Sequence, residues 1–218
     1  MSEAAPGLPD SEAFATDERA QLAAAVRKLI DATMTTEDAD AETLLDIARA
    51  TEQLAFRLGG SRDEGPGYRP RSHGDYLPRS PIVGEASPLS PRIDWRQVDA
   101  NDGSLGIEAN GTFGAAYEGP PGFVHGGWVA CAFDEMLGIA NIAAGHPGMT
   151  ARLTVNYRKP TPLFRELTFK ARVDRIEGRR IISSSEVYDG ETLTAEAEGL
   201  FVQPRPELAE QYFGPRPD

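Results

Sequence analysis

The residues best placed to do chemistry lie in one stretch, Gly119-Pro-Pro-Gly-Phe-Val-His125-Gly126-Gly127, which runs into Trp128-Val-Ala-Cys-Ala-Phe-Asp134-Glu135-Met-Leu. A Gly/Pro-rich loop ending in His-Gly-Gly before an apolar helix exposes backbone N–H groups at the helix start, where the dipole favours negative charge. Glycine also lets a ligand approach the main chain closely. The helix is apolar nearly all round, which predicts a place in the core with a sheet wrapped about it. Asp134 is out of place there: a carboxylate in such a helix costs several kcal/mol or so unless paired or hydrogen-bonded, and such residues cluster at functional sites. Nine residues separate His125 from Asp134, so at 100° and 1.5 Å per residue they lie on opposite sides of the helix, about 13.5 Å apart along it. One chain can hardly bring both to one reacting atom. Two chains with antiparallel central helices can, so if these residues cooperate the site is shared across a dimer interface.

The other reactive side chains form no such pattern. Glu135 reads as a solvated or ion-paired neighbour and Cys131 as a small buried hydrophobe. His73 and His146 are scattered and, with one cysteine, give no metal-ligand spacing. Ser183-Ser-Ser185 sits mid-strand without a nucleophile elbow, and neither Gly-x-Ser-x-Gly nor a dinucleotide fingerprint occurs. Charge adds a separate clue. Arg152, Arg158, Lys159, Arg165, Lys170 and Arg172 face one acid, Glu166, within 21 residues, so this stretch carries +5 in a chain of net charge −12. Such a patch on an acidic protein focuses a polyanion; the plain alternative is a solvated strand face.

The elements that must position these groups are legible from periodicity. Leu22, Val26, Leu29 and Ile30, then Leu44, Ile47, Thr51, Leu54 and Leu58, recur at helical spacing and predict a helical hairpin, its second helix capped by Thr35 or Thr36. Residues 59–91 are rich in Gly, Pro, Ser and Arg and read as an extended connector. Strands are expected at 93–98, 104–109 and 112–117, with Asn110-Gly111 as a hairpin turn between the last two. After the helix come 150–158, 167–176, 180–188 and 192–202, the last three an antiparallel meander punctuated by Glu177-Gly178 and Asp189-Gly190. Leu153, Val155 and Tyr157 alternate with polar residues, as when one face is buried. The fold class is α+β. The divisions are a tail and helical hairpin (1–60), a connector (61–91), the main domain (92–205) and a C-terminal tail (206–218).

Composition bounds the rest. The 218 residues, 40% apolar, suit one domain with an extension. The acidic balance argues against a nucleic-acid binder or polybasic membrane protein, and no clean run of ~20 apolar residues marks a span. One cysteine and an acidic N-terminus give a cytoplasmic expectation.

The strand order, His-Gly-Gly at the helix start, Asp134 nine residues after His125 and Thr150 sixteen beyond Asp134 resemble the hotdog-fold acyl-CoA thioesterases of the PaaI-like group, especially their mammalian thioesterase-superfamily members. Thr150-Ala-Arg-Leu-Thr-Val-Asn-Tyr157-Arg-Lys-Pro160 is similar to that subgroup's strand after the helix. The resemblance spans 93–204 and implies a hotdog fold working as a homodimer or dimer of dimers on an acyl-CoA substrate, with no metal or cofactor. It implies that Asp134 is general base or nucleophile, that Gly126 gives an N–H to the thioester oxygen beside Gly127, that His125 orients that end, and that Thr150 holds the water or the carboxylate. Such a donor stabilises an oxyanion as it develops. CoA phosphates would meet Arg158 and Lys159 first, then Arg165. One departure stands out: some PaaI-like enzymes carry an Asn six residues before the His, where this chain has Gly119. A non-catalytic acyl-CoA sensor and a hotdog hydratase are the rival readings; retained Asp134 counts against the first and the site spacing against the second.

Overall fold

A computed structural model describes residues 18–59, 76–99, 105–205 and 207. In chain order these form α1 (Glu18–Thr35), α2 (Ala41–Gly59), β1 (Asp94–Asp99), β2 (Leu105–Thr112), α3 (Gly126–Ala143), β3 (Met149–Tyr157), β4 (Glu166–Glu177), β5 (Arg180–Asp189) and β6 (Thr192–Val202). The strands make one antiparallel sheet in the order β1-β2-β4-β5-β6-β3. The β4-β5-β6 meander turns at Gly178 and Gly190, whose φ values of 61° and 58° suit the first position of a two-residue hairpin loop. β3 leaves α3, crosses the sheet and pairs with β6, where it becomes an edge.

α3 lies against the sheet because three of its sides are apolar. Val129, Ala132, Phe133, Met136, Leu137 and Ala140 are buried, and the Phe133 ring meets Phe169 of β4 edge-on at 6.0 Å. Each large side chain buried here contributes roughly 1.5–3 kcal/mol. The fourth side differs from expectation. Gly127 and Cys131 are exposed and Asp134 and Gly138 half-exposed, a stripe at steps of three and four that the chain itself leaves uncovered. Cys131 is therefore not a buried hydrophobe. It stands on this open face, its thiol pKa raised by partial burial of the sulfur and then by Glu135 and Asp134.

Other local expectations were overridden by packing. Asn110-Gly111 is no turn: β2 runs straight through it, Gly111 paired with Leu167 and Asn110 accepting a 2.9 Å bond from the Thr168 hydroxyl. A Cβ at 111 would meet Ile93 Cγ1 at 2.8 Å, so the glycine is there to admit a core side chain. Residues 112–117 are the end of β2 and a 3-10 turn, Ala115–Tyr117. The connector is not extended from Tyr76 onward. It folds through successive turns that bury Leu77, Ile82 and Val83, with Ser80 Oγ accepting from the N–H groups of Ile82 and Val83 and Ser90 Oγ donating to the Ile82 carbonyl.

The two N-terminal helices fare differently. α1 buries Ala20 and Ala23, lies near the 115–117 turn, and is tied down by Arg27, whose guanidinium donates to the carbonyls of Ser87 (2.6 Å) and Glu85 (3.3 Å). α2 buries none of its residues; Phe56 and Leu58 are 63% and 72% exposed. Its cap is Asp40, which accepts from the Thr43 N–H at 2.7 Å, while Thr35 instead bonds back to the Asp31 carbonyl. The N-terminal tail expected ahead of the hairpin, all of the expected C-terminal tail (206–218) but residue 207, and His73 lie outside the described residues. No described helix is long and apolar enough to cross a membrane.

Candidate active site

The loop before α3 is built to deliver one amide. Pro121 and Gly122 occupy the corner of a turn closed by a 2.9 Å bond from the Phe123 N–H to the Pro120 carbonyl, with Gly122 at φ 80°. Val124 donates to Thr161 and His125 to the Tyr117 carbonyl, both at 2.8 Å, fixing where the helix begins. His125 is its N-cap: Nδ1 accepts from the Gly127 N–H at 3.0 Å, which leaves the proton of the neutral ring on Nε2. The N–H groups of Trp128 and Val129 reach the His125 carbonyl at 2.9 and 3.3 Å.

An α-helix starts with four N–H groups that have no partner inside it. Here the His125 N–H is taken by the Tyr117 carbonyl, those of Gly127 and Trp128 by His125, and the fourth, on Gly126, makes no hydrogen bond among the described residues. Gly127, expected beside it as a ligand donor, has its N–H committed to the imidazole. Gly126 is covered by a residue the sequence reading did not assign: Tyr157, at the end of β3, donates its phenol proton to the Gly126 carbonyl at 2.7 Å. A Cβ at 126 would meet that phenol at 3.2–3.3 Å. The alternation of Leu153, Val155 and Tyr157 was the available signal, since it places all three on the face that packs toward α3.

Asp134 sits two turns further along, and the structure brings Thr150 to it: the hydroxyl donates to Asp134 Oδ1 at 2.7 Å. His125 and Asp134 remain at separate ends of this span. Glu135 is not solvated or ion-paired. Its carboxylate accepts from the Tyr76 phenol at 2.9 Å and its Oε1 is buried without a partner; burial raises its pKa, opposed by the nearby Ser80 and Tyr76 hydroxyls.

The basic stretch is not one patch. β3 and β4 stand three strand steps apart, about 14 Å at ~4.8 Å per step. Most of its charges are matched, three across to a neighbouring strand, Arg158 with Glu196, Arg152 with Glu198 at 3.8 Å and Arg165 with Asp189 at 2.8 Å, and one along β4 itself, Arg172 with Asp174 at 3.1 Å. Lys170 lies over the Tyr188 ring. Lys159 alone of the six has no acidic or aromatic partner among the described residues. No group of three or more His, Cys, Asp or Glu with metal-binding geometry occurs among the described residues.

An antiparallel sheet wrapped on one helix, with an open amide at the helix start and a carboxylate in its middle, is the layout of a hotdog hydrolase. The family model described as Thioesterase superfamily matches residues 121–196. A solved thioesterase superfamily protein is 30% identical, with a TM-score of 0.73 over 85% of this chain and 95% of its own. The chain belongs to the thioesterase superfamily. That alignment is longer than 93–204, so the likeness takes in part of the N-terminal region as well. Among curated proteins, acyl-coenzyme A thioesterase THEM4 of Xenopus laevis is 38% identical over 92 residues, 41% of each chain. THEM4 of Mus musculus is 38% identical over 96 residues, 43% of this chain and 41% of its own. Acyl-coenzyme A thioesterase THEM5 of Homo sapiens is 30% identical over 92 residues, 41% of this chain and 37% of its own. The matches to these relatives span about two fifths of their length.

Proposed function

We propose that the chain hydrolyses acyl-CoA thioesters to a free carboxylic acid and CoA. The observation that carries this is the single unsatisfied amide on Gly126, in a turn whose other donors are all occupied. It gives a preorganised hydrogen bond to the thioester oxygen as negative charge develops on it, the kind of interaction worth ~10²–10³ in kcat. Asp134, oriented by Thr150, drives attack on the carbonyl carbon, as nucleophile or as base toward a water. The C–S bond breaks and the thiolate of CoA takes up a proton; the acyl carbon gains a water oxygen, directly when Asp134 is the base or by hydrolysis of the acyl–Asp134 anhydride when it is the nucleophile, and the acid leaves. The chemistry asks for no metal or organic cofactor. Lys159, with Arg158 beside it, is the first candidate for the CoA phosphates.

The working unit is a homodimer or a dimer of such dimers. β3 is an edge strand with backbone groups open to pairing, and the Gly127–Cys131–Asp134–Gly138 stripe lies beside it. A second copy packed with its α3 antiparallel covers both, and sets Asp134 of one chain against Gly126 and His125 of the other.

The test is thiol release from a series of acyl-CoAs. Asp134→Asn lowers kcat by about 10²–10⁴, the usual worth of a positioned base, with little change in Tm because the half-exposed side chain keeps an oxygen for Thr150. A folded Asp134→Asn protein with full activity overturns the reading.

A further inference from the structure

A cavity of about 530 Å³ opens between α1 and the main body. Ile30 and Met34 of α1 form one wall; Leu89, Ala116, Trp128 and Phe164 form much of the other. Volume and lining are those of a small-molecule site, which runs ~300–1,000 Å³ and is mostly apolar. Met34, Leu89 and Phe164 are 57%, 55% and 66% exposed. Large apolar side chains left uncovered around one hollow mark a surface that something apolar covers.

The cavity joins the candidate active site through one turn of helix. Trp128 is two residues beyond Gly126, and its ring stands edge-on to Tyr117 at 5.2 Å. Tyr117 also lines the cavity, and its carbonyl accepts the His125 N–H. The hollow therefore lies against the turn that carries the Gly126 amide, sharing Tyr117 and Trp128 with it while Gly126, His125 and Asp134 stay outside its lining. The walls are fixed: Arg27 ties α1 to residues 85 and 87, and the Tyr117 phenol donates to the Leu89 carbonyl at 3.1 Å. The lining carries one base, Arg27, and one acid, Asp31, so its polar end is balanced in charge and the rest is apolar.

Resting on the thioesterase reading, we infer that this cavity receives the hydrocarbon tail of the substrate, so that α1, outside the shared catalytic domain, sets acyl-chain preference through Ile30 and Met34. The occupant is an apolar acyl chain.

The experiment is a chain-length profile on the full-length protein. With saturated linear acyl-CoAs, kcat/KM rises about three- to fourfold per added methylene until the cavity is full, the yield of burying one CH₂. Met34→Phe, at a half-exposed position that tolerates bulk, cuts the long-to-short ratio at least tenfold, and Ile30→Ala moves the optimum to longer chains. Leu58→Phe on exposed α2 leaves the profile as it is. Identical profiles in the wild type and both α1 variants, all of them active, overturn the inference while leaving the thioesterase reading standing.

A second readout does not need turnover. Trp95 is buried on β1, so a brominated fatty acid seated in the cavity quenches Trp128. Saturable quenching that Met34→Phe weakens supports the tail site even if no acyl-CoA is cleaved, which would be failure of the activity reading alone. Absence of quenching at saturating fatty acid overturns the tail site.

Discussion

Asp134 and Glu135 are neighbours on one helix and live in opposite surroundings. Glu135 points into material supplied by its own chain: the Tyr76 phenol and Ser80 close over it, and burial pushes its pKa up. Asp134 is on the face the chain leaves open, held by one hydroxyl from β3. The lesson is that a carboxylate in an apolar helix is not by itself a catalytic signal. One of these two is enclosed by its own chain's packing; the other stands on a face that the chain leaves uncovered.

The sharpest way to break this contrast is to separate the two ends of the site onto different chains. If Asp134 serves Gly126 and His125 of a second copy, His125→Ala and Asp134→Ala proteins are each inactive alone. Mixing them with subunit exchange regains about a quarter of wild-type activity, from one competent site in half of the dimers. Exchange shown by mass with no regained turnover means that each chain carries its own site. Next in size is Gly126→Ala. Its Cβ crowds the Tyr157 phenol and shifts the open amide, lowering kcat by ~10²-fold with a smaller change in KM; equal losses in both would move Gly126 out of transition-state stabilisation. The smallest effect on turnover belongs to Glu135→Gln, which instead alters stability against pH. With its folded pKa raised above the ordinary 4.5, native Glu135 holds its proton more tightly than the unfolded chain does. Its contribution is therefore fullest below 4.5 and is lost as pH climbs through the raised value. The Tm of Glu135→Gln relative to wild type accordingly rises from acid toward neutral pH. A constant difference across that range would mean that burial does not raise the Glu135 pKa.

What was legible in the sequence follows the same division. Contacts within a few residues could be read: the His-Gly-Gly helix start, the meander turns at Gly178 and Gly190, and the apolar faces of α3. Asp134 and Thr150 were paired by resemblance, and the fold places their side chains 2.7 Å apart. Long-range contacts were not legible. Asn110-Gly111 carries a strong hairpin signal, yet Ile93 needs the space above Gly111 and the sheet keeps β2 straight. Ser, Pro and Gly at 76–91 suggested an open connector, whereas the serines satisfy backbone groups in tight turns and let Ile82 and Val83 be buried. Counting charge along the chain also misled, because the acids that pair with Arg152 and Arg158 are on β6, some forty residues away in sequence and diagonally across the β3–β6 ladder.

Gly119 bears on which ancestors and descendants this site admits. A Cβ there would meet the Cα of His125 at 2.7 Å and its backbone N at 3.1 Å. An Asn at this point, as in other branches of the resembling group, does not fit the loop as it runs here. Passage between the two arrangements by one substitution would push the helix cap outward, free the Gly127 amide from its imidazole and erase the distinction between the one open donor and its closed neighbours. Residue 119 and the course of the 119–125 loop are thus tied to each other, and a side chain at 119 requires a different path for the loop.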